Sequence, residues 1–288
     1  MLWSCGIPSP CLPGSSLHLL ASATPSDSRH TPHVIATISS IMKVLALDAS
    51  PNAEKGNTAL VLERFVEGAI RAGATVERVG IYGLSIEPCT SCHACWYRTP
   101  GFCVHKDDME GLLDKLSSAD CWVFSCPVHV GGMTEGLVRV MERTLPLLSP
   151  MFEVRDDGKT GHVTSPMNEG RTTALISTSG YWEDEAFEPL VAQIADLSRS
   201  HARIFAGALL RPHGLALRYM ASHGFDVEDV LSAAEDAGAQ LAKTGKFEDK
   251  TLKEVRRPLM PREEFIELMN SAFLRRLGCQ PGNTPGCV

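Results

Sequence analysis

Four cysteines lie within fifteen residues of the 288-residue chain, at Cys89, Cys92, Cys95 and Cys103. The first three are spaced three residues apart, so their thiols can meet at one point without help from distant segments. Four thiolates in such an arrangement can hold a [4Fe–4S] cluster or a tetrahedral zinc ion. Zinc sites more often pair two separated Cys-x-x-Cys units, so the compact spacing favours the cluster. A loop of free thiols is the third interpretation of this cysteine loop (residues 89–103).

The other six cysteines are not grouped in this way. Cys121 and Cys126 flank a hydrophobic run and are predicted to be buried as small apolar side chains. The remaining four lie near the chain ends and receive no role: Cys5, Cys11, Cys279 and Cys287. Ten cysteines in a chain of this length do not form the dense pattern of a secreted disulfide scaffold, so we expect a reducing, cytoplasmic setting.

A first loop of small and polar residues, Asp48 to Thr58, joins an apolar run to a helical pattern. Backbone N–H groups at a helix N-terminus favour a phosphate, and Ser50, Asn57 and Thr58 would add side-chain donors. The alternative is that Asn57 or Thr58 merely caps the helix. The loop matches neither the Walker pattern nor G-x-G-x-x-G, which disfavours ATP and dinucleotides.

Two further loops of similar composition follow later apolar runs. The second loop, Pro127 to Thr134, contains adjacent glycines that would let a flat ligand approach the backbone closely. The third loop, Ser177 to Trp182, is again small and polar. A glycine turn with Thr134 as a helix cap would explain the second loop alone, but three such loops at one sheet edge favour a ligand site.

Alternating strand and helix patterns must position these loops. The predicted strands are Val44–Leu47, Val76–Val79, Cys121–Ser125, Thr173–Ser177 and Ile204–Leu210. The predicted helices are Thr58–Ala72, Met109–Leu116, Gly136–Leu147, Phe187–Ser200, Val227–Lys243 and Arg262–Leu277, with residues 148–170 as an irregular insertion. This alternation predicts an α/β fold with a doubly wound, five-stranded parallel sheet in the flavodoxin-like order 2-1-3-4-5 and a C-terminal helical extension.

Composition and patterning divide the chain into three parts. Residues 1–41 are rich in Ser, Pro, Thr and Ala and are predicted to be a disordered extension, since Met42 directly precedes the first strand. Residues 42–225 would form the ligand-binding domain, and residues 226–288 the C-terminal helices and tail. The net charge of −7 argues against nucleic-acid binding, and the sequence contains no apolar run of membrane-spanning length.

The first and second loops together resemble the NAD(P)H-dependent FMN reductase and multimeric flavodoxin group. The cysteine run followed by Asp107 and Asp108 resembles the iron–sulfur flavoprotein branch of that group. The resemblance covers residues 42–210 and implies non-covalent FMN. It implies that the FMN phosphate is bound by Ser50, Asn52, Asn57 and Thr58. It implies that the ring lies along Pro127, Val128, His129, Val130, Gly131, Gly132 and Met133, and is closed by Ser177, Thr178, Ser179 and Gly180.

The chain departs from this family pattern at two positions. His129 stands where an aromatic residue usually lies, so Trp182 is a candidate for stacking on the flavin. Asn52 stands where the first loop often carries a basic residue, and Lys55 is the candidate substitute.

The function implied by the resemblance is an FMN-dependent NAD(P)H oxidoreductase that also carries a [4Fe–4S] cluster. Its acceptor would be a quinone, a flavin, or a nitro or azo compound, and the protein would be a homo-dimer or homo-tetramer. The alternatives are a non-enzymatic iron–sulfur electron carrier and a redox sensor that uses the cysteine loop as its switch.

Overall fold

The computed structural model describes residues 41–155, 157–164 and 168–278. A five-stranded parallel sheet lies at its centre, in the order β2-β1-β3-β6-β7. Its strands are β1 (Lys43–Asp48), β2 (Thr75–Gly80), β3 (Cys121–Pro127), β6 (Thr172–Thr178) and β7 (Ile204–Arg211). A small antiparallel pair, β4 (Phe152–Val154) and β5 (Thr160–His162), lies outside this sheet. When only the strands of the main sheet are numbered, their order is 2-1-3-4-5, as predicted.

Helices connect the strands and cover both faces of the sheet. In chain order they are α1 (Asn57–Arg71), α2 (Ala94–Tyr97), α3 (Met109–Ser118), α4 (Glu135–Glu142), α5 (Glu188–Ser200), α6 (Gly214–Ser222), α7 (Glu228–Thr244), α8 (Asp249–Arg256) and α9 (Arg262–Arg276). Short 3₁₀ turns occupy Ala53–Lys55, Ile81–Gly83, Leu145–Leu147 and Asp184–Phe187.

Two hydrophobic cores follow from the alternation of side chains along the strands. In β1, Val44 and Ala46 face a core formed with α1, α6 and α7. Leu45 and Leu47 face the opposite core, formed with α3, α4 and α5. Because each central strand is buried on both faces, it reads as a continuous apolar run rather than an alternating pattern.

Helix α7 packs closely on α1 through two glycines. A Cβ added at Gly68 would overlap the Glu235 carbonyl, and one added at Gly238 would overlap the Phe65 carbonyl. Since these clashes involve backbone atoms, only glycine allows the two helices to approach so closely. This contact joins α7, in the C-terminal segment, to α1, which follows the first loop. The domain boundary at residue 226 stays a prediction.

The structure differs from the sequence predictions in three connections. The β4–β5 hairpin lies within residues 148–170, so the prediction of an irregular insertion was wrong there. Helix α4 ends at Glu142, where the chain passes into a 3₁₀ turn, although the pattern predicted a helix to Leu147. Helices α6 and α8 were not predicted.

Several predictions concern residues outside the described part of the chain. All of the N-terminal extension except its last residue lies outside the described part. The same holds for Cys5, Cys11, Cys279 and Cys287. Among the described helices, none combines the length and the hydropathy that a membrane crossing requires.

Candidate functional site

The three loops predicted from the sequence meet at the carboxyl edge of neighbouring strands. β1 pairs with β3 up to Asp48 and Ser125, and β3 pairs with β6 up to Pro127 and Thr178. The first, second and third loops leave β1, β3 and β6 from this same edge. The parallel topology therefore brings together the residues predicted to bind FMN.

The first loop closes over a buried serine. Ser50 is 3% exposed, and a Cβ at Gly56 would lie 2.6 Å from the Ser50 hydroxyl, so a larger residue there would have to displace the serine side chain. Gly56 is the N-cap of α1, and no described side chain caps that helix end by a hydrogen bond. Asn52 is exposed and Asn57 is partly exposed. The capping interpretation of Asn57 and Thr58 is therefore wrong, and the N–H groups of the first turn remain available to an anion.

Buried hydroxyl groups connect the loops to one another. The Thr58 and Thr178 hydroxyls lie 2.7 Å apart and link α1 to the third loop. Thr134 is the N-cap of α4, but its hydroxyl donates to the Ala49 carbonyl at 2.8 Å rather than capping the helix. The Val128 N–H donates to the Thr178 carbonyl at 2.9 Å. These bonds fix the relative positions of all three loops.

The second loop contains a tight reversal of the backbone. His129 and Gly132 exchange N–H···O hydrogen bonds of 3.1 and 2.8 Å. Between them, Val130 and Gly131 have φ angles of 50° and 74°. The left-handed region is unfavourable for a β-branched residue, and such strain is concentrated at functional sites. Val130 is also fully exposed.

The third loop is buried except at its tip. Ser177, Thr178 and Ser179 are buried, whereas Gly180 is exposed. Among the described residues, the Ser177 hydroxyl is a buried group without a hydrogen-bond partner. Trp182, the candidate for flavin stacking, has its ring stacked on His213 at 4.2 Å between centroids.

Two arginines near the first loop were not found from the sequence. Arg78 of β2 pairs with the buried Asp48 carboxylate at 2.6 Å. Arg218 of α6 donates to the carbonyls of Gly56 at 2.6 Å and Glu54 at 3.1 Å. Both contacts join segments far apart in sequence, so no local spacing indicates them. Lys55, the predicted basic substitute, has an exposed side chain.

The four cysteines of the cysteine loop line one small cavity. Cys95 is buried, Cys89 and Cys103 are partly exposed, and Cys92 is exposed. Burial and the neighbouring thiols raise the pKa of Cys95, while a hydrogen bond from the Ala94 backbone lowers the pKa of Cys92. Within the described ranges, no three His, Cys, Asp or Glu side chains converge closely enough for a metal ion. The thiols therefore share a cavity but are spread around it.

A buried ion pair fixes the rim of this cavity. Arg143 is 1% exposed and forms a two-pronged pair with Asp107 at 2.8 and 3.0 Å. Asp107 also accepts the Met109 N–H at 3.1 Å, at the first residue of α3. Burial alone would raise the pKa of Asp107, but hydrogen bonds from Arg143 and the backbone lower it overall. Arg143 was missed in the sequence because it lies in a helix pattern remote from the cysteines.

Two buried nitrogens of the cavity lining have no hydrogen-bond partner in the described part of the protein. They are the Arg143 Nε, which is a donor, and the His105 Nε2, which donates in the tautomer that is protonated there. An arginine and a histidine N–H suit a centre of negative charge, and four thiolates around an iron–sulfur cluster carry such charge. The donor set of the cavity therefore fits a cluster.

Aromatic residues hold the cysteine loop against the end of α4. The Trp96 indole N–H donates to the carbonyls of Leu145 and Leu148, both at 3.0 Å. His93 is exposed and stacks beside Trp96 at 5.2 Å. Tyr97 is 74% exposed, in contrast to Trp96 beside it.

Cys121 and Cys126 lie apart from this cavity. Both are fully buried in strand β3, which confirms the sequence prediction. Burial raises the pKa of Cys121 to about 11 and that of Cys126 to about 12. Neutral thiols of this kind act as small apolar side chains.

Residues 42–184 match the NADPH-dependent FMN reductase family. An iron–sulfur flavoprotein of Methanocaldococcus jannaschii is 30% identical over 135 residues, covering 46% of this chain and 68% of that protein. An iron–sulfur flavoprotein of Archaeoglobus fulgidus is 30% identical over 150 residues, covering 52% of this chain and 72% of that protein.

The fold is similar to that of an FMN-dependent NADH-azoreductase from Bacillus anthracis solved in complex with FMN. The TM-score is 0.50 at 15% identity, with 70% of this chain and 98% of that chain covered. At this identity the likeness concerns the fold alone. The sequence matches go further: the chain belongs to the NADPH-dependent FMN reductase family, and its similar relatives include iron–sulfur flavoproteins.

Proposed function

We propose that the protein is an FMN-dependent NAD(P)H oxidoreductase that also carries a [4Fe–4S] cluster. The observation that carries the flavin assignment is the set of three interlinked loops beside the uncapped first turn of α1. Family membership supports FMN, and the names of the similar relatives support an iron–sulfur centre.

The first loop would hold the FMN phosphate. The N–H groups at the start of α1 have no side-chain cap, and Ser50, Asn52, Asn57 and Thr58 would join them in binding the phosphate. A phosphate there would complete the hydrogen bonds that the helix end leaves open. The absence of an acidic residue from the first turn of α1 favours the same anion.

The second and third loops would hold the isoalloxazine ring. FMN, when bound, supplies the chemistry of accepting a hydride from NAD(P)H and passing electrons onward. The part of this chain is to orient the ring between residues 127–133 and 177–180, whose backbone is held by hydrogen bonds of its own. Since that backbone is fixed before the ligand arrives, the site need not reorganise to receive the ring.

The cysteine loop would hold the cluster through Cys89, Cys92, Cys95 and Cys103. A single zinc ion requires all four sulfurs close to one point, whereas a four-iron cluster is larger and keeps its ligands further apart. The compact spacing of the cysteines and the names of the similar relatives favour the second case. Arg143 and His105 would direct their unpaired N–H groups toward this centre.

The proposed function also includes an electron acceptor, an assembly and a cellular setting. The acceptor is a quinone, a flavin, or a nitro or azo compound, and the protein acts as a homo-dimer or homo-tetramer in a cytoplasmic setting. The carrier alternative differs in its electron donor, because a carrier takes electrons from a low-potential protein rather than from NAD(P)H.

Anaerobic purification followed by reduction tests this function. We expect bound FMN, iron and acid-labile sulfide, and rapid bleaching of the flavin absorbance by NADH or NADPH. Bleaching only by dithionite or a reduced ferredoxin-type protein would contradict the enzyme and favour the carrier. FMN without iron or sulfide would contradict the cluster alone.

A further inference from the structure

Apart from Arg218, the charged side chains around the first loop nearly cancel one another. Asp48 lies at its start and is paired with Arg78 at 2.6 Å. Glu54 and Lys55 are adjacent, opposite in charge and both exposed. The loop therefore has no net positive charge of its own with which to hold a phosphate dianion.

Arg218 supplies the missing charge from a different part of the chain. Its Nη2 donates to the carbonyls of Gly56 and Glu54, which places the guanidinium directly beside the N-cap of α1. Among the described residues, no carboxylate lies within ion-pair distance of Arg218, and its buried Nε has no hydrogen-bond partner. A partly buried cation without a counter-ion is unfavourable unless an anion completes the site.

We propose that Arg218 is a phosphate-positioning residue that makes the protein select FMN over unphosphorylated riboflavin. This inference rests on the proposed FMN-dependent function and assigns a determinant to it. The guanidinium fixes the Gly56 carbonyl, so that the N–H groups of the first turn of α1 face the ligand. Its charge then adds to that of the helix end.

A purely structural role for Arg218 makes a different prediction. If the side chain only joined α6 to the first loop, its charge would not matter, and Arg218→Lys would lose as much FMN affinity as Arg218→Gln. A charge that acts on the phosphate affects FMN and leaves riboflavin unchanged, because the two ligands share the ring and ribityl chain.

The test compares FMN and riboflavin affinities of flavin-free protein by quenching of flavin fluorescence. For Arg218→Gln we expect the FMN Kd to rise about tenfold or more, as for loss of a hydrogen bond to a charged group. The riboflavin Kd should stay within about twofold. The control is Arg199→Gln on α5, an exposed arginine paired with Asp196, which should change neither value.

Arg218→Lys is a second variant, which keeps the test valid if the glutamine variant does not fold. It keeps the charge and loses the planar fork, so we expect a smaller loss of FMN affinity and again none for riboflavin. Equal losses for both flavins, or no loss for either, would overturn the role of Arg218 while leaving FMN binding intact. Failure of the unmodified protein to prefer FMN over riboflavin would overturn the proposed phosphate site itself.

Discussion

The three sheet-edge loops continue directly from buried strands, whereas the cysteine loop is an irregular segment that side chains fix at its rim. In the first region Thr134 bonds the Ala49 carbonyl, and each loop continues directly from a buried strand. In the second, Asp107, Arg143 and Trp96 hold an irregular segment against α3 and α4. The proposed flavin site is thus a product of the fold, and the proposed cluster site an addition to it.

This difference implies that the regions should fail separately, except where they share a scaffold. Gly238→Ala tests the shared scaffold, because the new Cβ would overlap the Phe65 carbonyl and force α7 from α1. We expect the free energy of unfolding to fall by about 5 kcal/mol, with loss of both FMN and iron. Urea unfolding measures the effect.

The matched control is Gly111→Ala, at an exposed position of α3 with no atom close to the added Cβ. It should leave stability unchanged or raise it by up to about 1 kcal/mol, since alanine favours helix. Equal effects of the two variants would show that the contact between α1 and α7 is not required.

Asp107→Asn should disable the cysteine loop alone. It leaves the buried Arg143 without its carboxylate, which costs about 3–5 kcal/mol for a buried pair. We expect loss of iron with retention of FMN, measured as cofactor content after anaerobic purification. Glu135→Gln is the control, since it breaks the exposed pair with Arg139 on the same helix and should cost at most about 1 kcal/mol. Loss of FMN in parallel with iron would contradict separate regions.

Thr178→Val should weaken the flavin edge alone. It leaves the buried Thr58 hydroxyl without its partner, at a cost of about 1–3 kcal/mol. FMN should bind more weakly while iron content is unchanged. The double variant Thr58→Val with Thr178→Val removes both partners and should recover most of the stability. Additive losses in urea unfolding would show that this hydrogen bond does not join the loops.

Lowering the pH should have the smallest effect on the free energy of unfolding. This effect should arise on the side of the protein that carries the cysteine loop. Burial lowers the pKa of His201, which contacts the Thr144 hydroxyl beyond α4, to about 4. Because the unfolded chain takes up this proton first, stability present above about pH 6.5 is lost as the pH falls toward 4.

Between pH 7.5 and 5.5 this histidine should contribute a loss of about 1.3 kcal/mol. His201→Gln should reduce the measured loss in urea unfolding by that amount. An identical loss in both proteins would show that His201 does not titrate in this way.

The sequence predicted the sheet because buried parallel strands are continuous apolar runs. The loops at its edge followed from that, and helical spacing predicted α7 and α9 near the C-terminus. It did not predict the β4–β5 hairpin, whose strands are three residues long and mostly exposed. Three residues are too few to show the period of a strand.

The charged partners of the site could not be predicted for a different reason. Arg218 lies 162 residues from Gly56, and Arg143 lies 36 residues from Asp107. Neither pair follows a local spacing, since the tertiary fold alone brings them together. The cysteines were recognised because all four lie in one short segment.

The independence of the two regions is tested most directly by removing all four thiols at once. The measurement is the FMN and iron content per chain of a variant with Cys89, Cys92, Cys95 and Cys103 replaced by serine. Retention of FMN at the level of the unmodified protein, with no iron or acid-labile sulfide, is the predicted result. Loss of FMN together with the iron, in a protein that remains folded, would contradict a flavin site built by the fold alone.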